Sequence, residues 1–222
     1  MNTAIVALHH EVLDFWAQYR RQRQTPPEVL SLDFHTDVLC ALHRGGMDVC
    51  PGDWQDEQRI SKAVEFLHHD EHFDWALRAG VISGARIIAL APCAVPPEHP
   101  DLTVIRPPGI PDVETMLNDP ESFRETAQRV LTDAFLAECL KSWRPEPGFI
   151  LDIDCDFFLT RSALFPEKST IFDELLSHAG LLTLSCENDW VKILRLPGEN
   201  FSGTGVAKIL EDRRNELIAA RN

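Results

Sequence analysis

The sequence predicts an α/β fold: one domain spanning residues 1–222, built as a three-layer sandwich with helices on both sides of a mainly parallel sheet. Three observations point there. Short apolar runs alternate with stretches of helical periodicity, the pattern of parallel strands joined by crossover helices. At 222 residues the chain can bury one sizeable core and is short for two. Two of the apolar runs end in carboxylate clusters, and the carboxyl ends of parallel strands form the usual ligand crevice.

The strand candidates are Thr3–Leu8, Val29–Leu32, Ala85–Leu90, Leu102–Ile105, Phe149–Ile153 and Leu181–Ser185. Each is a short apolar run bounded by polar or turn-forming residues. Helical periodicity covers Glu11–Arg23, Asp53–Ala79, Pro120–Trp143, Ser169–His178 and Gly205–Ala220. Pro92–Pro111 is proline-rich and reads as surface loops around one strand. SerGlyThrGly at 202–205 lacks the spacing of a dinucleotide fingerprint and reads as a helix N-terminus.

Composition narrows the function classes. With 21 Lys and Arg against 35 Asp and Glu, the net charge of −14 argues against a nucleic-acid partner and is compatible with a cationic substrate. Neither a signal-peptide pattern nor an apolar run approaching about 18 residues is present, so the expectation is a cytoplasmic protein without a membrane partner. The six cysteines contain no CxxC pair and read as reduced core thiols. Oligomer formation is left open.

The chemistry is concentrated in the two clusters. ValLeuSerLeuAspPheHisThrAsp at 29–37 places Asp33, His35 and Asp37 after one strand, and IleLeuAspIleAspCysAspPhe at 150–157 places Asp152, Asp154 and Asp156 on and after another. Taking a carboxylate out of water costs several kcal/mol, and neither cluster contains a Lys or Arg to offset it. Divalent cations supply the missing charge; without them some of these groups hold protons. Residues two apart on a strand share a face at about 6.6 Å, so Asp33 with His35, and Asp152 with Asp154, can each reach one cluster. Asp37 would lie roughly 13 Å beyond Asp33 on a straight strand, so the chain must turn after His35 for Asp37 to join them. Carboxylate and imidazole donors without thiolate favour Mn²⁺ or a related ion. Two such ions about 3.5–4 Å apart can share a hydroxide at neutral pH. The plain alternative for either cluster is a solvated turn in which Asp caps backbone amides.

AspPheHisThrAsp at 33–37 resembles the Asp-x-His-x-Asp signature of the arginase, or ureohydrolase, superfamily, and AspIleAsp at 152–154 resembles its second Asp-x-Asp signature. The Gly-x-Asp-Pro continuation of ordinary arginases is missing. PheIleLeuAspIleAspCysAspPhePhe at 149–158 and HisHisGluValLeu at 9–13 are instead similar to a compact branch that includes the peptide arginases. These convert arginine side chains in ribosomally made peptides to ornithine. The resemblance spans about residues 3–190 through three short motifs.

It implies an arginase-like fold, two Mn²⁺ ions per chain and an arginine-containing precursor peptide as partner. Carried over, the first ion would take His9, Asp33, Asp37 and Asp152, and the second His35, Asp33, Asp152 and Asp154. His9 is preferred to His10 because the branch pattern reads His-x-Glu-Val-Leu. Asp37 and Glu187 are the implied catalytic groups, with Glu187 similar in position to the family's guanidinium-binding Glu; its alternative is an exposed strand-end carboxylate. Asp156 is either an acceptor that orients a ligand or a plain turn residue. His43 is the nearest candidate for the family's proton-shuttling His and reads as structural. HisHisAspGluHis at 68–72, with His68 and His72 four apart, reads as a solvated helix face. Two other functions compete: a haloacid-dehalogenase-like Mg²⁺ phosphatase using Asp154 and Asp156, and a non-catalytic metal-dependent interaction protein.

Overall fold

A computed structural model describes residues 3–41, 54–93 and 95–221. His43 and Cys50 lie outside the described residues. Six strands form one sheet: β1 (Thr3–Val6), β2 (Glu28–Asp33), β3 (Gly84–Ala89), β4 (Leu102–Ile105), β5 (Ile150–Asp154) and β6 (Leu181–Ser185), in the spatial order β1-β6-β5-β2-β3-β4. Every pairing is parallel. From β2 the chain builds outward through β3 to β4, then crosses back to lay β5 on the other side of β2. The β2/β5 seam is therefore where the winding reverses, the place where parallel sheets open a crevice at their carboxyl ends.

Alternation along the strands makes the layers. Leu30, Leu32, Ile88, Leu151, Ile153, Leu182 and Leu184 belong to one core. That core is completed by α5 (Pro120–Ala127), α6 (Asp133–Leu140), α7 (Thr170–His178), α8 (Asn188–Leu194) and α9 (Gly203–Ala219), with α4 (Val113–Asn118) at its margin through Met116. Val29, Ala85, Ile87, Ala89, Ile150 and Leu181 point the other way, into a core with α1 (Val12–Arg21), α2 (Glu57–Phe66) and α3 (His72–Arg78). This second face carries a polar set at its carboxyl edge, since Ser31, Asp33, Asp152, Asp154, Thr183 and Ser185 share its parity.

Helix boundaries depart from periodicity where caps intervene. The stretch expected as one helix over Asp53–Ala79 contains two, because Leu67 turns extended (ψ 144°) after α2 and the Glu71 carboxylate accepts the His68 amide at 3.0 Å ahead of α3. The stretch over Pro120–Trp143 also divides: Thr132 accepts the Phe135 amide and starts α6 anew. Helices α4 and α8 escaped the sequence reading, being of six and seven residues. SerGlyThrGly at 202–205 is a helix start, with Ser202 Oγ accepting the Gly205 amide at 3.2 Å. Its first glycine has a packing reason, because a Cβ at Gly203 would overlap the Cys186 carbonyl just beyond β6. The five described cysteines form no disulfide with one another; Cys40, Cys139, Cys155 and Cys186 are buried as core thiols, whereas Cys93 is exposed, outside the core, and no described helix is long and apolar enough to cross a membrane.

Gly203→Ala should therefore force the start of α9 off β6 and cost about 1–3 kcal/mol. Gly205→Ala, whose Cβ meets only Ser202 Oγ at 3.4 Å, should stay within about 1 kcal/mol of wild type. Urea denaturation midpoints at unchanged m-value measure both.

Candidate metal centre

The β2–β5 register arranges the polar side chains in two rows across the sheet. Ser31 pairs with Asp152 and Asp152 with Thr183; one step nearer the carboxyl edge, Asp33 stands beside Asp154 and Asp154 pairs with Ser185. The inner row is saturated. Asp152 accepts Ser31 Oγ at 2.8 Å and Thr183 Oγ1 at 2.6 Å, and lies 2.8 Å from His9 Nε2; Trp16 Nε1 donates to Thr183 at 3.2 Å.

The outer row is not. Asp33 Oδ1 accepts the His35 amide at 2.7 Å, whereas Asp33 Oδ2 and Ser185 Oγ are buried without a hydrogen bond. Asp154 Oδ1 accepts the Asp156 amide at 3.2 Å, which bends the chain into a 3₁₀ turn over Cys155–Phe157. That turn swings Asp156 back toward β2, where Oδ1 accepts the Phe34 amide at 3.2 Å and Oδ2 lies 3.0 Å from His35 Nδ1. Asp156 is thus buried in the cluster, facing a histidine.

His9 comes from the 3₁₀ turn His9–Glu11 between β1 and α1. Glu11 shapes the turn by accepting the Ala7 and Leu8 amides, each at 2.9 Å. The imidazole is fully buried, with Nδ1 2.9 Å from Asp37, 3.3 Å from Asp154 and 3.6 Å from Asp33. The chain does turn after His35: Asp37 adopts φ 45°, in the left-handed region, and this brings its carboxylate to His9. His10 is half-buried and is not among the side chains whose donor atoms converge.

Glu187 is buried, which excludes the exposed strand-end alternative. It follows β6 in a left-handed conformation (φ 36°, ψ 47°), as the residue preceding α8, and its Oε1 accepts the His9 amide at 2.8 Å. A non-glycine residue held there stores strain of about 1–3 kcal/mol, as functional positions often do.

Reading HisHisAspGluHis as a solvated face requires correction. His68 is exposed and precedes the helix, whereas His72 opens α3 and is completely buried. Its ring lies 4.4 Å from that of His9, its Nδ1 is 2.8 Å from the His69 carbonyl, and its Nε2 has no hydrogen-bond partner. Residues four apart share a helix face only if the helix includes both, and here His68 lies before α3 begins.

Electrostatics follow from burial. Asp33 is pushed well above 3.8 by desolvation and by Asp37 and Asp156, and Asp154 likewise by desolvation and Asp156. Desolvation also raises Glu187. Burial alone would lower His9; the charge and hydrogen bond of Asp152, aided by Asp37 and Asp154, outweigh it and hold His9 well above 6.5. His35 is raised against its burial by the bond to Asp156. Burial and the neighbouring His9 depress His72 well below 6.5. Among the described residues, no Lys or Arg pairs with Asp33, Asp37, Asp152, Asp154 or Asp156.

Among the described residues, three overlapping sets of donor atoms lie within 4.8 Å of one another: His9, Asp33 and Asp154; Asp33, His35 and Asp156; and His9, Asp37 and His72. Beside them opens a cleft of about 220 Å³ lined by His35, Asp37, Leu39, His69, Pro92 and Val95. Trp190 of α8 stands at its margin, 5.0 Å from the His35 ring and 6.5 Å from that of His69.

No family model matches the chain, and no curated protein matches it. Among solved structures it is similar to proclavaminate amidino hydrolase from Streptomyces clavuligerus, at a TM-score of 0.51 and 14% identity over 99% of this chain. The chain spans 64% of that protein's length. At this identity the likeness establishes the fold: an α/β sandwich on a parallel sheet, as found in an amidino hydrolase.

Proposed function

We propose that the protein is a metal-dependent ureohydrolase that converts arginine side chains within a peptide to ornithine and urea. The observation that carries the reading is the outer row: buried Asp33 and Asp154 side by side across the β2/β5 seam, flanked by His9, Asp37, His35 and Asp156, without a Lys or Arg partner among the described residues. Separations of 2.9–3.6 Å between His9 Nδ1 and three carboxylates are those of donors sharing one ion, whose bonds run to about 2.0–2.2 Å. Carboxylate and imidazole donors without thiolate suit Mn²⁺. The fold shared with an amidino hydrolase and the sequence resemblance support the same chemistry.

This geometry favours ligands two residues later in the second motif than the resemblance implies. His9 through Nδ1, Asp33, Asp37 and Asp154 would hold the first ion, and Asp33, His35, Asp154 and Asp156 the second. Asp152 then orients instead of binding: its oxygens are already taken by Ser31, Thr183 and His9 Nε2, and a carboxylate behind a ligand imidazole fixes the ring and its tautomer.

The bound ions would lower the pKa of water toward neutrality and so supply a hydroxide-like oxygen to attack the guanidino carbon. Asp37, which lines the cleft, would accept a hydrogen bond from the attacking water. Glu187, steadied by the His9 amide, would receive the guanidinium. Water adds at the guanidino carbon, the bond to the side-chain nitrogen breaks, and that nitrogen leaves as the ornithine amine after taking a proton. A net charge of −14 attracts a cationic peptide, and the cleft beside Trp190 suits a side chain entering while its backbone stays outside.

Incubating the Mn²⁺-loaded protein with arginine-containing peptides should release urea with a mass loss of roughly 42 Da per converted residue, and free arginine should react poorly. Kinetics favouring free arginine would overturn the peptide assignment and leave the ureohydrolase chemistry standing.

Asp33→Asn, Asp154→Asn and Asp156→Asn should each lose metal and activity, whereas Asp152→Asn should retain both ions with affinity reduced about 10–100-fold. Loss of metal in Asp152→Asn with both ions kept in Asp156→Asn would restore the earlier register.

Adding Mn²⁺ to metal-free protein at pH 7 should release protons, read with an indicator dye in weak buffer. The sign follows from the shifts: desolvation favours the protonated forms of Asp33 and Asp154, and Asp152 favours protonated His9, whereas a bound cation requires their deprotonated forms, so metal binding expels protons.

A further inference from the structure

We propose that His72 is a nitrogen ligand of the first ion, so that two imidazoles, His9 and His72, hold that end of the centre. The inference rests on the binuclear reading above and adds a ligand drawn from outside its three sequence motifs.

The tautomer is set by the local fold. His72 Nδ1 lies 2.8 Å from the His69 carbonyl, which can only accept, so Nδ1 carries the proton and Nε2 presents a lone pair. A carbonyl behind the remote nitrogen is also the usual support for a metal-binding histidine. The ring is fully buried, and Nε2 has no hydrogen-bond partner. An unpaired buried acceptor is destabilising in an ordinary core.

What surrounds it is acceptor-rich. His72, His9 and Asp37 each offer a donor atom within 4.8 Å of the others, and Asp33 Oδ2, near His9, is likewise buried without a hydrogen bond. His72 Nε2 from α3 and Asp33 Oδ2 from the end of β2 are thus buried acceptors without a donor, on either side of His9. The aromatic walls hold the ring in this pose: Phe73 at 4.3 Å and Trp16 at 5.5 Å between ring centroids. With His72 bound, the two ends of the centre differ. One has two nitrogen donors and the other only His35, so Zn²⁺ or Co²⁺ should favour the His9–His72 end, since imidazole suits them better than carboxylate alone does.

The test loads metal-free wild type and His72→Phe with Mn²⁺ and measures stoichiometry by elemental analysis and affinity by chelator competition, with circular dichroism confirming the fold. Wild type should bind two ions. His72→Phe should keep one at wild-type affinity and weaken the other at least about tenfold. In His72→Gly, added imidazole should restore the weakened ion, which a merely structural role would not allow. X-ray absorption of Co²⁺-loaded wild type, which needs no variant, should count three imidazoles per two ions. Two imidazoles per two ions, or both ions bound by His72→Phe at wild-type affinity, would overturn the assignment while leaving the binuclear centre intact. Wild type that binds no Mn²⁺ would overturn both.

Discussion

Everything distinctive about this molecule depends on one constraint: carboxylates buried at adjacent ends of β2 and β5 with no Lys or Arg among the described residues to offset them. Desolvating a carboxylate costs several kcal/mol, and placing two side by side adds repulsion at short range. A fold tolerates this only where protons or metal ions share the site. The raised proton affinities of Asp33 and Asp154 express that compromise in the polypeptide itself.

The two rows divide the labour. In the inner row Asp152 receives two hydroxyls and an imidazole, so its charge is spread over hydrogen bonds and it serves as a rigid base beneath His9. In the outer row Asp33 and Ser185 leave buried atoms unsatisfied. A saturated layer under an unsaturated one is how a site holds its ligands within tenths of an ångström while leaving them free to bind.

Several backbone devices aim the outer row. Glu11 ties the turn that presents His9, and Glu187, just past the carboxyl end of β6, accepts the His9 amide. Left-handed Asp37 and Glu187 turn their chains where an extended path would overshoot. Gly203 lets α9 settle against the Cys186 carbonyl, so that the end of β6, and Glu187 after it, is buttressed by backbone rather than by a side chain.

The sequence by itself determined the class of fold and most of the donor inventory. Apolar runs placed all six strands to within a few residues, because a strand buried on both faces must be apolar and short. The spacing of Asp33, His35 and Asp37 required the turn that the structure makes, since strand geometry is invariant. Helix breaks inside Asp53–Ala79 and Pro120–Trp143 were hidden, because caps made by Glu71 and Thr132 override a continuous periodicity. Only the tertiary structure decided which carboxylates face one another. Asp33 sits opposite Asp154 and not Asp152 because of the register between strands more than a hundred residues apart, a relation with no trace in either segment alone. It also decided the place of His72, whose burial depends on where α3 begins and on what His9, Trp16 and Phe73 pack against it. Pattern reports which groups a chain can offer along its length; their meeting is set by long-range packing, which local sequence does not encode.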